Sequence, residues 1–280
     1  MIKRKIMGIK DGFRLHNGVI IPYLGLGVYK AKEGEEVQDA IDYALDAGYR
    51  HIDTASIYNN EEGVGRAVNL HRIPRDDIFV TTKVWNTDQG YDETLRAFET
   101  SLNKLGFHRI DLYLIHWPVA DKYLDTWRAL ERLYDEGVVR AIGVSNFHQS
   151  HLEDLMAHSN IKPMVNQVEF HPRLRQQPLL DFCQQQDIQF EAWSPLMHGE
   201  LFTLDDFVEL ETKYNKSISQ LVLRWNLQKG IVTIPKSVNP VHIDLNAELF
   251  DFELTDDEMA YIDRLDKNQR TGPDPDNFDF

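Results

Sequence analysis

The chain predicts an α/β fold, a (β/α)₈ TIM barrel with an N-terminal β-hairpin closing its floor. Three observations point there. Short β-branched and aromatic runs at 24–28, 50–53, 78–84, 109–115, 139–144, 164–168, 188–193 and 231–234 alternate with amphipathic stretches. A length of 280 residues suits one such barrel. No linker or low-complexity segment interrupts the pattern, so residues 1–280 are expected to form a single domain.

Each element has a local reason. Apolar stretches at 13–16 and 19–22 flank Asn17-Gly18, a pair that favours a type I′ hairpin turn. Helical periodicity covers 35–47, 61–70, 91–105, 123–136, 148–158, 177–186, 217–228 and 256–265. Thr255 ahead of Glu258 has capping-box spacing. The competing doubly wound sheet would need G-x-G-x-x-G after its first strand. Here Gly25-Leu26-Gly27 continues with Val28, Tyr29 and Lys30, without the third glycine. Gly63 and Gly65 fall inside a helical pattern, so both glycine pairs read as packing or turn glycines.

Composition excludes several function classes. Hydrophobic residues make up 42%, enough for a large core, and the net charge is -15. Such an acidic surface disfavours nucleic acid and anionic membranes. The opening segment is polar and basic, and no run of about eighteen apolar residues exists to span a bilayer. Cys183 is the single cysteine, placed in a helical pattern where a packing role is expected. A cytoplasmic monomer is the expectation.

In a barrel of this type the active site lies at the carboxyl ends of the strands. Asp53, Lys83 and His116 occupy those ends on three consecutive predicted strands, and Tyr58 lies on the loop after Asp53. Any one alone could be a satisfied structural group. Together they make a proton-transfer device. A free tyrosine titrates near pH 10, and an adjacent lysine would lower that value. Asp53 would hold the lysine in place, and His116 would either orient a carbonyl oxygen or share the proton. The set suits protonation of a carbonyl oxygen while hydride arrives at carbon. Later strand ends carry Ser145, Asn146, Gln167, Glu169, Trp193, Ser194, Lys236 and Ser237. No metal site is expected: His148 and His151 share a helix face, with no carboxylate obviously convergent.

At these residues the chain resembles the aldo-keto reductases. The resemblance spans nearly its whole length through GYRHIDTASIYNNEEGVG, TTKVWN, LYLIHWP, AIGVSNF, NQVEFHP, AWSPL, IPKS and GPDPDNFDF. Within that family it is most similar to bacterial glyoxal, methylglyoxal and diketogluconate reductases. The resemblance implies a catalytic set of Asp53, Tyr58, Lys83 and His116 and an NADPH cofactor, with NADH as a weaker alternative. It assigns Ser145, Asn146 and Gln167 to the nicotinamide carboxamide and Trp193 to stacking on the ring. Ser194 and Leu196 fall to the pyrophosphate, Lys236, Ser237 and Val238 to the 2′-phosphate region, and Asn246 to adenine. Two departures stand out: His242 replaces a usual arginine, and Leu245 replaces a frequent acidic residue. Tyr29, Ile57, Trp85, His116 and Trp117 match substrate-lining positions. A small carbonyl compound is the implied partner.

Three other readings share these residues. An NADH-using reductase or sugar dehydrogenase differs only in cofactor or substrate. A non-catalytic binding relative would have no use for an intact catalytic set. A phosphate-binding lyase or isomerase would use Lys236-Ser237 as its phosphate loop. The tail from Gly272 is short and acidic, with disorder as the default, yet Phe278 and Phe280 are placed to fold over the mouth.

Overall fold

The computed structural model describes residues 6 and 8–278; Phe280 and the basic opening residues lie outside that range. Strands β1 (Gly12–Arg14) and β2 (Ile20–Pro22) pair antiparallel, Phe13 opposite Ile21. Their turn is not the expected type I′. Leu15 N donates to Val19 O and Gly18 N to Leu15 O, both at 2.8 Å. Gly18 has φ 91° while Asn17 is not among the positive-φ residues. A type I turn followed by a glycine bulge results, because the loop holds three residues rather than two. Asn17 instead donates to Arg140 O at 3.0 Å. That bond ties the hairpin to the amino-terminal end of β7 (Val139–Ser145), the floor of the barrel.

The remaining strands are β3 (Leu26–Gly27), β4 (His51–Asp53), β5 (Phe79–Val84), β6 (Ile110–Ile115), β8 (Val165–Glu169), β9 (Gln189–Trp193) and β10 (Val232–Thr233). With β7 they form a parallel sheet ordered from β3 to β10. Parallel bridges Leu24–Thr233 and Gly27–Lys236 join the last strand to the first and close the barrel. Every residue of β5 and β6 is buried, so their polar members Thr81, Thr82, Lys83 and Asp111 each need an internal partner. Gly25 and Gly27 are packing glycines, as expected. A Cβ at Gly25 would lie 2.7 Å from His51 Nδ1, and one at Gly27 3.0 Å from Ile234 O.

Helices α1 (Glu35–Asp46), α2 (Glu61–Leu70), α3 (Tyr91–Leu105), α4 (Tyr123–Asp135), α5 (Gln149–His158) and α6 (Gln177–Gln185) separate successive strands. Then α7 (Val208–Tyr214) and α8 (Ile218–Gln228) precede β10, and α9 (Pro240–Ala247) and α10 (Asp256–Asp263) follow it. In α1, Val37, Ala40, Ile41, Ala44 and Leu45 are buried, the stripe a helix needs to pack on a sheet. Trimming a core residue such as Leu114 to alanine costs about 2–5 kcal/mol. Thr255 accepts from Glu258 N as the spacing predicts. Cys183 is buried, and burial pushes its thiol up to about 12, an inert packing group. Among the described residues, no helix is long and apolar enough to cross a membrane.

Candidate active site at the barrel mouth

The carboxyl ends of the strands open into a cleft of about 1020 Å³. Asp53, Tyr58 and His116 line it, and Lys83 lies beneath. Lys83 Nζ donates to Asp53 Oδ1 at 2.7 Å and to Thr54 O at 2.8 Å. The two charged side chains are buried, so each depends on the other. Tyr58 sits on a 3-10 turn, Ser56–Tyr58, ended by Asn59 in the left-handed region at φ 54°. Ser56 Oγ donates to Lys83 O at 3.0 Å and fixes this turn against β5. The ammonium then lies 5.2 Å from the centre of the Tyr58 ring. Ring centres of Tyr58 and His116 are 5.8 Å apart, and those of His116 and Trp85 5.1 Å apart.

The electrostatics correct one expectation. Lys83 does pull the Tyr58 phenol down, but burial outweighs it, and Asp53 opposes it as well. The phenol is pushed up to about 12. Burial acts to lower the Lys83 pKa, yet Asp53, Tyr58 and Glu191 together hold it above the ordinary lysine value. Burial and then the Lys83 charge keep His116 well below the ordinary histidine range, so its ring is neutral.

Around this centre, Ser145, Asn146, Gln167, Trp193, Ser194, Leu196, Lys236, His242 and Asn246 also line the cleft. Asn146 and Ser194 take left-handed backbone, φ 63° and 51°, immediately after β7 and within the β9 exit. Such strain is found where side chains must be aimed. Trp193 Nε1 donates to Asn146 Oδ1 at 2.8 Å, which fixes the indole. Ser194 Oγ is buried without a partner. Ser237 and Val238 do not reach the cleft. Ser237 Oγ accepts from Asn239 N at 3.1 Å, and Val238 packs against the core. Tyr29, Ile57, Trp85 and Trp117 line the outer wall.

The cleft also takes in Lys30, His198, Phe202, Ser217 and Ser219, which sequence reasoning missed. His198 and Phe202 lie on the irregular 3-10 stretch Met197–Thr203, which has no periodicity to betray it. The tail folds back over the cleft, where the Phe278 ring stacks on Trp117 at 4.3 Å with 23° between planes. Its anchor is Glu169 at the end of β8. Glu169 Oε1 accepts from Thr271 N and Thr271 Oγ1, both at 2.6 Å, and from Gly272 N at 3.2 Å. Carboxylates do converge on His148, which caps α5, and on His151 within it, contrary to expectation, because the tail folds back. His148 Nε2 lies 3.2 Å from Asp274 Oδ1, and His151 Nε2 lies 3.5 Å from Asp276 Oδ1. His151 Nδ1 accepts from His148 N at 3.1 Å, leaving the hydrogen on Nε2 to face Asp276. The group reads as a hydrogen-bonded clasp on the tail.

A closed parallel barrel whose mouth holds a buried lysine–aspartate pair beside a tyrosine is equipped to move a proton, and the proteins this chain resembles are oxidoreductases. The chain belongs to the aldo/keto reductase family, whose pattern matches residues 23–267. It is 55% identical to a glyoxal reductase of Bacillus subtilis over 97% of this chain and 99% of that one. It is 46% identical to the methylglyoxal reductase DkgA of Yersinia pestis, again over 97% and 99%. The crystal structure of a Gox0644 variant in complex with NADPH superposes with a TM-score of 0.91 at 41% identity, covering 96% of this chain and 98% of that one.

Proposed function

We propose that this protein is an NADPH-dependent carbonyl reductase that converts small aldehydes, ketones and α-dicarbonyls of the glyoxal type to alcohols. The observation that carries this reading is the Lys83–Asp53 pair, 2.7 Å apart, buried beside Tyr58 at the base of an aromatic-walled cleft. The residues present fit the cofactor. Gln167 spends both amide hydrogens on carboxyl groups, so its oxygen is left as an acceptor for a carboxamide. The unpartnered Ser194 hydroxyl suits a pyrophosphate oxygen, and Lys236 ahead of α9 with His242 in its first turn suit a phosphate. Trp193 would face the nicotinamide. When bound, NADPH supplies the hydride; NADH is the weaker alternative, because Lys236 and His242 would then have no 2′-phosphate to hold.

Tyr58 donates the proton to the carbonyl oxygen, and neutral His116 orients that oxygen. A phenol pushed up to about 12 stays protonated across the neutral range. The alkoxide formed on reduction is a stronger base than phenolate, so transfer runs toward the product. Lys83 stabilises the phenolate left behind, and Asp53 keeps Lys83 charged and placed. Trp85, Trp117 and Phe278 narrow the approach and favour short substrates. The relatives named for glyoxal and methylglyoxal support this substrate class. We place the enzyme in the cytosol as a monomer, in keeping with one inert thiol and an acidic surface. The test is NADPH oxidation followed with a panel of aldehydes, ketones and dicarbonyls. A purified enzyme that ignores methylglyoxal and glyoxal but reduces aromatic ketones or a sugar would sink the substrate assignment alone.

A further inference from the structure

Beneath the cleft lies a second buried carboxyl, Glu191, which the proton-transfer chemistry does not use. It stands on β9 directly beside Gln167 of β8 in the sheet register. Gln167 Nε2 donates to Asp53 Oδ2 at 2.8 Å and to Glu191 Oε2 at 3.0 Å. A primary amide nitrogen carries two hydrogens, and both are taken. A flipped amide would turn its oxygen on the ionised Asp53, and Glu191 Oε2 accepts the second hydrogen, so the nitrogen end is held away from the cleft. Asp53 takes one of the two hydrogens on Oδ2 while its Oδ1 serves Lys83, and Glu191 takes the other. Burial first, then Asp53, push the Glu191 carboxyl up to about 8 against Gln167 and Lys83, so it adds no second charge at neutrality. Behind it, His51 Nε2 lies 3.8 Å from Glu191 Oε1 and shares a 3.0 Å hydrogen bond with Thr81 Oγ1. Burial and then Lys83 push His51 down to about 3, so that ring is neutral as well.

We infer that Glu191 is a positioning residue for the cofactor: with Asp53 it locks Gln167 so that the amide oxygen meets the nicotinamide carboxamide. The inference rests on the NADPH reading above. It concerns one end of the cofactor, which gives it a specific test. Binding of NADPH and of adenosine 2′,5′-bisphosphate, which lacks nicotinamide, is titrated on the full chain by calorimetry. Wild type, Glu191→Gln and Glu191→Leu are compared. Glutamine still offers Gln167 an amide oxygen; leucine offers nothing. The expected result is NADPH binding weakened about tenfold in Glu191→Leu, the scale of one buried hydrogen bond. The bisphosphate should bind all three proteins alike, and Glu191→Gln should stay within about twofold of wild type for NADPH. Three outcomes overturn the inference: Glu191→Leu binding NADPH like wild type, Glu191→Leu losing the bisphosphate equally, or Glu191→Gln failing as badly as Glu191→Leu. Wild type that binds no NADPH overturns the cofactor reading and this inference with it.

Discussion

Lys83 Nζ and Asp53 Oδ1 lie 2.7 Å apart with side chains 0% and 4% exposed, so neither charge has water to fall back on. Removing one partner strands the other. Lys83→Met should therefore lose about 3–5 kcal/mol of stability, while the double variant Lys83→Met/Asp53→Asn should lose less than Lys83→Met alone. Urea unfolding of the variants measures this directly. Equal stability of Lys83→Met and wild type would mean that the pair is not buried as described.

Tyr58→Phe keeps the ring and removes the transferable proton. Turnover should fall by about 10²–10⁴-fold, with NADPH affinity nearly unchanged because Tyr58 faces the substrate side. The protein alone makes a second statement about the same phenol. Its pKa stands at about 12, above the ordinary 10, so it remains protonated through mildly alkaline conditions. The ultraviolet tyrosinate signal of wild type minus Tyr58→Phe should stay flat up to about pH 10. A difference signal with its midpoint between pH 7 and about 9 would show that Lys83 wins over burial after all.

How far these features were legible follows from where each signal lives. Asp53 and Lys83 could be read because they are ionisable groups near the carboxyl ends of β4 and β5, and His116 because it directly follows the largely apolar β6. Glu191 was equally readable and went unread. Strand alternation puts it on the same face as Trp193, two positions on, hence toward the barrel interior. Helix α9 was missed because it buries only Ile243 and Asn246 and shows no apolar stripe. The hairpin turn was misjudged because Asn-Gly serves both two- and three-residue loops, and only the Leu15–Val19 pairing decides between them. Tyr58 carried no signal for its net pKa. Lysine proximity was inferable, but burial was not, and burial dominates. The tail contacts lie beyond any local pattern, since Glu169 and Thr271 meet only once the barrel is folded.

His242 is exposed at the edge of the cleft, within the first turn of α9, and Lys236 lies near the same end. If both face the 2′-phosphate, His242→Arg should tighten NADPH binding several-fold, because a guanidinium offers a planar fork and a permanent charge. NADH binding should not change. Calorimetric titration of both cofactors decides the matter. An equal gain for NADPH and NADH would place His242 away from the phosphate.

The last prediction links acid, tail and selectivity. Burial would raise the Glu169 pKa, but bonds from His171 and Thr271 override it and hold the carboxyl below the ordinary value of 4.5. A lowered folded pKa gives stability that is present above the unfolded value and lost as pH falls through the folded one. The tail should therefore stay docked at neutral pH and loosen only on acidification below about 4.5. Glu169→Gln should loosen it at neutral pH, because a neutral amide weakens the charge-assisted bonds gathered on Oε1 and sets an NH2 where Oε2 accepts from Gly272 N. Phe278 would then leave Trp117, and the cleft would widen on its outer side. The expected outcome is faster proteolysis of the tail and a rise in kcat/KM for bulky aromatic aldehydes relative to methylglyoxal. Phe278→Ala should reproduce the change in selectivity without the change in proteolysis, since it removes the ring and leaves the anchor. Should both variants keep the wild-type ratio between bulky and small substrates, the tail is not a wall of the substrate pocket, and the narrowing must come from Trp85 and Trp117 alone.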